Sequence, residues 1–187
     1  MALNFTIRLA QRTPFFYGWM VLFAAGTTQF ARNSVAALTL AVFVYPLSQE
    51  LEWSRTMIAG AASAGGLASS IASPIIGKLL DKYGVRLILT ISILVLGLST
   101  ISLAWATIPL LFYVFYGLGR VIFSSSIQIG ASVLVSQWFI RRRGTATGIL
   151  FLCHASGMII FPLLSSTLIH SVGWQNAWIV IGGLVWL

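Results

Sequence analysis

The sequence predicts an all-α membrane protein, a bundle of six spanning helices, and three observations lead there. Of the 187 residues, 58% are hydrophobic and 7% charged, with a mean hydropathy of +0.96; a water-soluble domain carries about a quarter charged residues. The apolar residues fall in runs near the length that crosses a bilayer, about 20 residues at 1.5 Å rise each. The basic residues concentrate in alternate connections between those runs, as in a chain threaded back and forth through lipid. The net charge of +8 does not make a nucleic-acid surface, because it is split into short clusters with no continuous basic face. The expected partner is the lipid bilayer, and no nucleic acid.

Residues 1–16 read as a short basic segment and residues 17–187 as the bundle. The first run extends from about Tyr17 to Leu47, long enough to tilt. The second extends from about Thr56 to Gly77, the third from about Val85 to Ala106, the fourth from about Leu110 to Phe139 and the fifth from about Thr145 to His170. The sixth starts near Trp174 and reaches Leu187, too short to cross, so a truncated sixth helix is expected. The second run holds Gly60, Ala61, Ala62, Ser63, Ala64, Gly65 and Gly66, then Ser69, Ser70 and Ser73. Small residues let backbones approach closely, so this helix should pack tightly on a neighbour. The third is apolar throughout, which suits an outer, lipid-facing place.

Arg8 and Arg12 precede the first run, Lys78, Lys82 and Arg86 follow the second, and Arg141, Arg142 and Arg143 follow the fourth; the opposite connections hold Arg55 alone. Basic loops stay inside, which puts the N-terminus in the cytoplasm and fits a bacterial inner (plasma) membrane. Amphipathic rings agree: Trp19 and Trp138 mark the inner interface, and Trp53, Trp105 and Trp174 the outer one.

Two arginines fall where lipid tolerates them least. Arg32 lies roughly 22 Å along the first run and Arg120 roughly 15 Å into the fourth from its other end, so both guanidiniums are expected near the midplane. The only acids are Glu50, Glu52 and Asp81, all in or beside loops. Charge at that depth faces a bundle interior or a water-filled path. Thr28, Gln29, Arg32 and Asn33 share one face of the first helix by their spacing, and Tyr113, Tyr116, Arg120, Ser124 and Gln128 share one face of the fourth. Guanidinium presents a planar fork of donors suited to carboxylate or phosphate. The substrate-binding candidates are therefore Arg32, Arg120, Gln29, Asn33, Tyr116, Ser124 and Gln128. Against this stands the reading that each arginine pairs with backbone carbonyls or with an acid elsewhere. His154, near mid-depth in the fifth run, is a candidate proton site, although a hydrogen-bonded packing histidine is the more ordinary role.

Nothing points to covalent chemistry. Cys153 sits alone in an apolar run, a small buried hydrophobe. There is no metal set, no phosphate-binding loop and no paired catalytic carboxylates, so no cofactor and no enzyme is expected.

The connection Gly77-Lys78-Leu79-Leu80-Asp81-Lys82-Tyr83-Gly84-Val85-Arg86 has glycines at both ends that permit a sharp reversal. It resembles the cytoplasmic-loop signature of the major facilitator superfamily, GxLaDrxGrR, through Gly77, Leu79, Asp81, Gly84 and Arg86, with Lys82 at a basic position. Other stretches are similar to one branch, the monocarboxylate and oxalate/formate transporter-like proteins: Tyr17-Gly18-Trp19, the segment from Pro46 to Arg55, and that from Gln137 to Gly144. Gly157 and Pro162 resemble the Gly/Pro-bent fifth helix of some relatives. The resemblance implies the N-terminal six-helix half of a twelve-helix fold, with first and fourth helices lining a central cavity and the C-terminal six-helix half as partner. It implies transport by alternating access between rocking halves. Gly77, Asp81, Gly84, Arg86, Arg141 and Arg142 would then form a cytoplasmic gate. The expected function is transport of a small organic anion, a monocarboxylate or dicarboxylate, by proton symport or anion exchange. A transporter of a neutral or cationic solute is the first alternative, and a non-transporting receptor or half-size dimerising subunit the second.

Overall fold

The structure, a computed structural model, describes residues 18–139 and 142–186. The segment 1–16 and Arg141 lie outside the described residues. Seven α-helices carry the described residues: α1 Gly18–Ala31, α2 Ala37–Glu50, α3 Arg55–Tyr83, α4 Val85–Ser102, α5 Pro109–Val121, α6 Gln128–Trp138 and α7 Arg143–Leu184. A 3-10 turn, Arg32–Val35, joins α1 to α2, and a π-helical stretch, Ile122–Ile127, joins α5 to α6. There is no strand among the described residues. Five helical runs among them are long and apolar enough to cross a membrane: Gly18–Glu50, Arg55–Tyr83, Val85–Trp105, Pro109–Trp138 and Arg143–Leu184.

The fifth run holds the expected fifth and sixth helices. Its 42 residues would measure about 63 Å, twice the hydrocarbon thickness. Gly173, at φ 83° and ψ 163°, breaks it there. A side chain in that backbone region is strained, so glycine is what the turn requires. Gly84 (φ 85°) does the same between α3 and α4, where its N–H donates to Leu80 O at 3.0 Å. Gly77, expected to share that reversal, lies inside α3, six residues before the helix ends.

Two of the spans are not the regular helices that periodicity suggests. The first breaks at Ala36, whose φ −64° and ψ 154° are extended. The carbonyl of Asn33 accepts from Ala36 N at 3.1 Å and from Thr39 Oγ1 at 2.7 Å, which satisfies the interrupted backbone. The fourth widens into the π stretch just after Arg120. Irregular backbone inside a membrane is stable only where protein buries it or a cavity receives it, and every residue from Arg32 to Ala36 is buried.

Small residues position the spans. A Cβ on Gly65 would lie 2.7 Å from Arg120 Cβ, and one on Gly60 2.6 Å from Tyr113 Oη. The small-residue face of α3 thus lies directly on α5, where Tyr113 also donates to Met57 O at 2.7 Å. A Cβ on Gly157 of α7 would likewise meet Asn33 Nδ2 at 2.5 Å and Phe30 O at 2.7 Å. The third expected helix, α4, is two-sided. Leu87, Ile91, Leu94 and Leu98 are exposed, as a lipid-facing helix requires, while Ser92, Leu96, Ser99 and Thr100 are buried. Ser92 hydrogen-bonds Ser126 of the π stretch, and Ser99 donates to Phe115 O at 2.6 Å. Trp105 is exposed as an interfacial ring should be. Trp174 is not: it is buried and its Nε1 donates to Glu50 Oε2 at 2.5 Å.

Candidate functional site

The break in the first span, the π stretch of the fourth and the middle of α7 converge on one residue that sequence periodicity does not single out, Phe123. The Arg32 guanidinium carbon lies 4.5 Å from the centre of its ring, and that of Arg120 lies 4.8 Å away. Both distances are within cation–π range. Arg32 also donates from Nη1 to the Phe123 carbonyl at 3.1 Å. The two cations are therefore separated by no more than the sum of their distances to one ring. Arg32 is 4% exposed and Arg120 half-buried. The Nε of each is buried without a hydrogen-bond partner among the described residues. No acid of this chain falls within a span's interior: Glu50 ends α2, Glu52 follows it and Asp81 lies in the last turn of α3.

Asn33 is completely buried and works as a tie between spans. Its Nδ2 lies 3.1 Å from Gln29 O, 3.2 Å from Phe30 O, 3.2 Å from His154 O and 3.1 Å from His154 Nδ1. Three carbonyl oxygens around one atom fix the amide orientation, since the oxygen of the amide could not face them. His154 Nδ1 lies within hydrogen-bond distance of the same amide nitrogen, so the ring is tied to the first span at this point. Asn33 Oδ1 has no partner among the described residues.

Beside this tie lies a cavity of about 20 Å³, room for about one water. Its polar lining is Gln29, Arg32, Gln128, Ser132, Thr147 and His154. Four of these are among the sequence candidates, drawn from the first, fourth and fifth spans. Gln29 Oε1 is buried without a partner among the described residues. The remaining candidates fall elsewhere. Tyr116 is fully buried and stacked on Phe112 at 5.7 Å, with its hydroxyl unpartnered among the described residues, and it does not line this cavity. Ser124 is half-buried and does not line the cavity either. A second cavity of about 630 Å³ lies between α1 and α4, with Met20, Val21, Leu89, Ile93 and Trp186 in its wall. Arg86 is its one charged lining residue among those described, so it does not combine with the paired arginines.

Sequence reasoning missed Phe123, Ser132 and Thr147. Phe123 stands three residues after Arg120, one turn along, and that spacing was the available signal. Ser132 continues the fourth-span stripe four residues beyond Gln128. Thr147 carried no signal in an apolar run. At the Arg86 end, Asp81, Arg86 and Arg142 are exposed and Gly77 is half-buried. Arg143 donates from Nε to Phe139 O at 3.0 Å and from Nη2 to Ser136 O at 3.4 Å. It caps the carbonyl end of α6, where a cation is favoured.

Sequence comparison relates the chain to known proteins. The sequence profile of the Major Facilitator Superfamily matches residues 10–187. Relatives include an uncharacterized MFS-type transporter, YcxA, of Bacillus subtilis, 24% identical over 170 residues (88% of this chain and 40% of that protein). Probable anion transporter 3, chloroplastic, of Arabidopsis thaliana is 29% identical over 159 residues, covering 80% of this chain and 30% of its own. Monocarboxylate transporter 6 of Mus musculus is 27% identical over 174 residues, 90% and 36% of the two chains. The chain thus spans less than half the length of these relatives. All three bear the names of transporters, a class that generally does no covalent chemistry. A profile match over nearly the whole chain, on a bundle of long apolar helices, leads to one conclusion: this multi-pass membrane protein belongs to the Major Facilitator Superfamily.

Proposed function

We propose that the chain forms the cation-bearing half of a carrier for a small organic anion, a monocarboxylate or dicarboxylate, moved by alternating access. The observation that carries this reading is the pairing of Arg32 and Arg120 over one ring with no acid of the chain in any span's interior. Two like charges held together in a low-dielectric interior are costly unless an anion joins them. A carboxylate accepts from two forks at once. The names of an anion transporter and a monocarboxylate transporter among the relatives support the same class.

The small cavity is too tight for a carboxylate, which fits a carrier whose site opens only in part of its cycle. A second six-helix half would complete the path, and Gly77, Asp81, Gly84, Arg86, Arg141 and Arg142 would meet it as a gate. The density of basic residues at that end supports a cytoplasmic N-terminus, and a bacterial inner membrane is the setting proposed. His154, which lines the small cavity beside Arg32, is the proposed proton site if transport is proton-coupled; anion exchange would leave it as a packing residue.

The test is a thermal-stability screen of the complete gene product in detergent. Lactate, oxalate and succinate represent the anions, glucose a neutral solute, and choline a cation. At least one carboxylate is expected to raise the melting temperature, with no gain in Arg32→Gln. Stabilisation by glucose or choline and by no carboxylate overturns the solute class.

A further inference from the structure

Phe123 lies against both arginines and the histidine of the candidate site. Its ring faces Arg32 at 4.5 Å and Arg120 at 4.8 Å, and lies 6.3 Å from the His154 ring at an interplanar angle of 58°. Its carbonyl receives Arg32 Nη1 at 3.1 Å. It stands in the π stretch Ile122–Ile127, a rare backbone form that recurs at functional sites. The surrounding chain holds the stretch firmly: Ser125 donates to Ser69 O of α3 at 3.3 Å, and Ser126 pairs with Ser92 of α4.

Repulsion between two guanidiniums should drive both side chains apart, and each has the reach to swing away. A ring with a negative face opposes that for both at once. The two arginines are not held equally. Arg32 has the ring and the carbonyl, and it starts from a fully buried backbone. Arg120 has the ring, and no hydrogen bond from its guanidinium to a described residue is observed. Phe30 and Phe161 pack on each other at 5.3 Å, and among the described residues Phe123 is the ring found over both guanidiniums.

We propose that Phe123 is the positioning residue of this site: its ring sets the spacing of Arg32 and Arg120, and thereby which anions bridge them. The proposal deepens the anion reading above and rests on it for the ligand. The clamp itself does not depend on which solute is carried, and this separates the two in experiment.

The experiment is arginine modification by phenylglyoxal on the complete gene product in lipid nanodiscs, with peptide mass spectrometry reading Arg32 and Arg120 separately. Phe123→Leu and Phe123→Met fill the space without the ring's quadrupole, and Phe123→Tyr keeps it. Both aliphatic variants are expected to raise modification of Arg120 about tenfold, the loss of one desolvated cation–π contact, and of Arg32 by less, because its carbonyl partner is backbone and survives. Phe123→Tyr is expected to stay within about twofold of the parent, on the same cation–π basis. Use of two aliphatic variants keeps the comparison readable if one fails to fold. Unchanged Arg120 modification in the folded aliphatic variants, or failure of tyrosine to restore it, overturns the clamp.

The same assay with added lactate, oxalate or succinate separates the ligand. Protection of both arginines in the parent supports the anion reading. Acceleration in Phe123→Leu with no protection by any carboxylate leaves the clamp standing and removes the anion. Protection without acceleration does the reverse.

Discussion

Asn33 shows how one amide can hold two spans at a depth where water cannot help. Its two N–H groups face three carbonyl oxygens, from its own turn and from His154, with His154 Nδ1 at a similar distance. In Asn33→Leu the branched shape is kept in a bulkier, apolar side chain, and the His154 carbonyl and Nδ1 lose their contact with the amide. Leaving a buried acceptor unpaired costs about 1–3 kcal/mol, so the melting temperature in detergent should fall by several degrees. An unchanged melting curve would show that Gln29 and Phe30 carbonyls alone occupy the amide. The residue scale is also where the sequence was least complete. Arg32 and Arg120 were legible because charge in an apolar run is conspicuous. Phe123 was not, since an aromatic residue in an apolar run looks like any lipid-facing ring until the partners around it are known. Tyr116 shows the complement: its hydroxyl put it on the polar stripe, and the structure buries the ring against Phe112 with that hydroxyl unpartnered among the described residues.

At the scale of elements, the spans themselves were legible and their interiors were not. Runs of apolar residues set where helices lie, and Gly84 and the Trp174 boundary were readable from composition. The break at Arg32–Ala36 and the π stretch at Ile122–Ile127 were hidden, because hydrophobic periodicity cannot register one extra residue per turn or a few residues of 3-10 helix. Both irregularities sit beside the paired arginines. Close helix contact also enters here. Gly157 lets α7 approach the first span so nearly that an added Cβ would meet the Phe30 carbonyl at 2.7 Å, and a backbone atom has little freedom to move aside. Alanine gains about 1 kcal/mol of helix propensity over glycine, yet such overpacking costs about 1–3 kcal/mol. Gly157→Ala is therefore expected to lower the melting temperature in detergent and to speed hydrogen exchange at Asn33 and Thr39. A higher melting temperature would mean that α7 can slide away without loss. Gly66, where an added Cβ meets nothing, provides the control: Gly66→Ala should be neutral or mildly stabilising.

On the scale of the whole molecule, the chain is a lipid-embedded bundle of a transporter superfamily. It puts two cations together in its middle and leaves both Nε atoms without partners among the described residues. The anion reading needs both arginines to act on one ligand. The most direct test is uptake of a radiolabelled carboxylate, the one that stabilises the protein in the screen above, by proteoliposomes holding the complete gene product. Parent, Arg32→Gln and Arg120→Gln would be compared. Loss of one charge-assisted contact costs about 1.5–3 kcal/mol, so each variant should take up the anion with a KM raised at least about tenfold, while folding as the parent does. Parent-like KM and rate in both folded variants would contradict the account, because the paired charges would then be holding the bundle and not the solute.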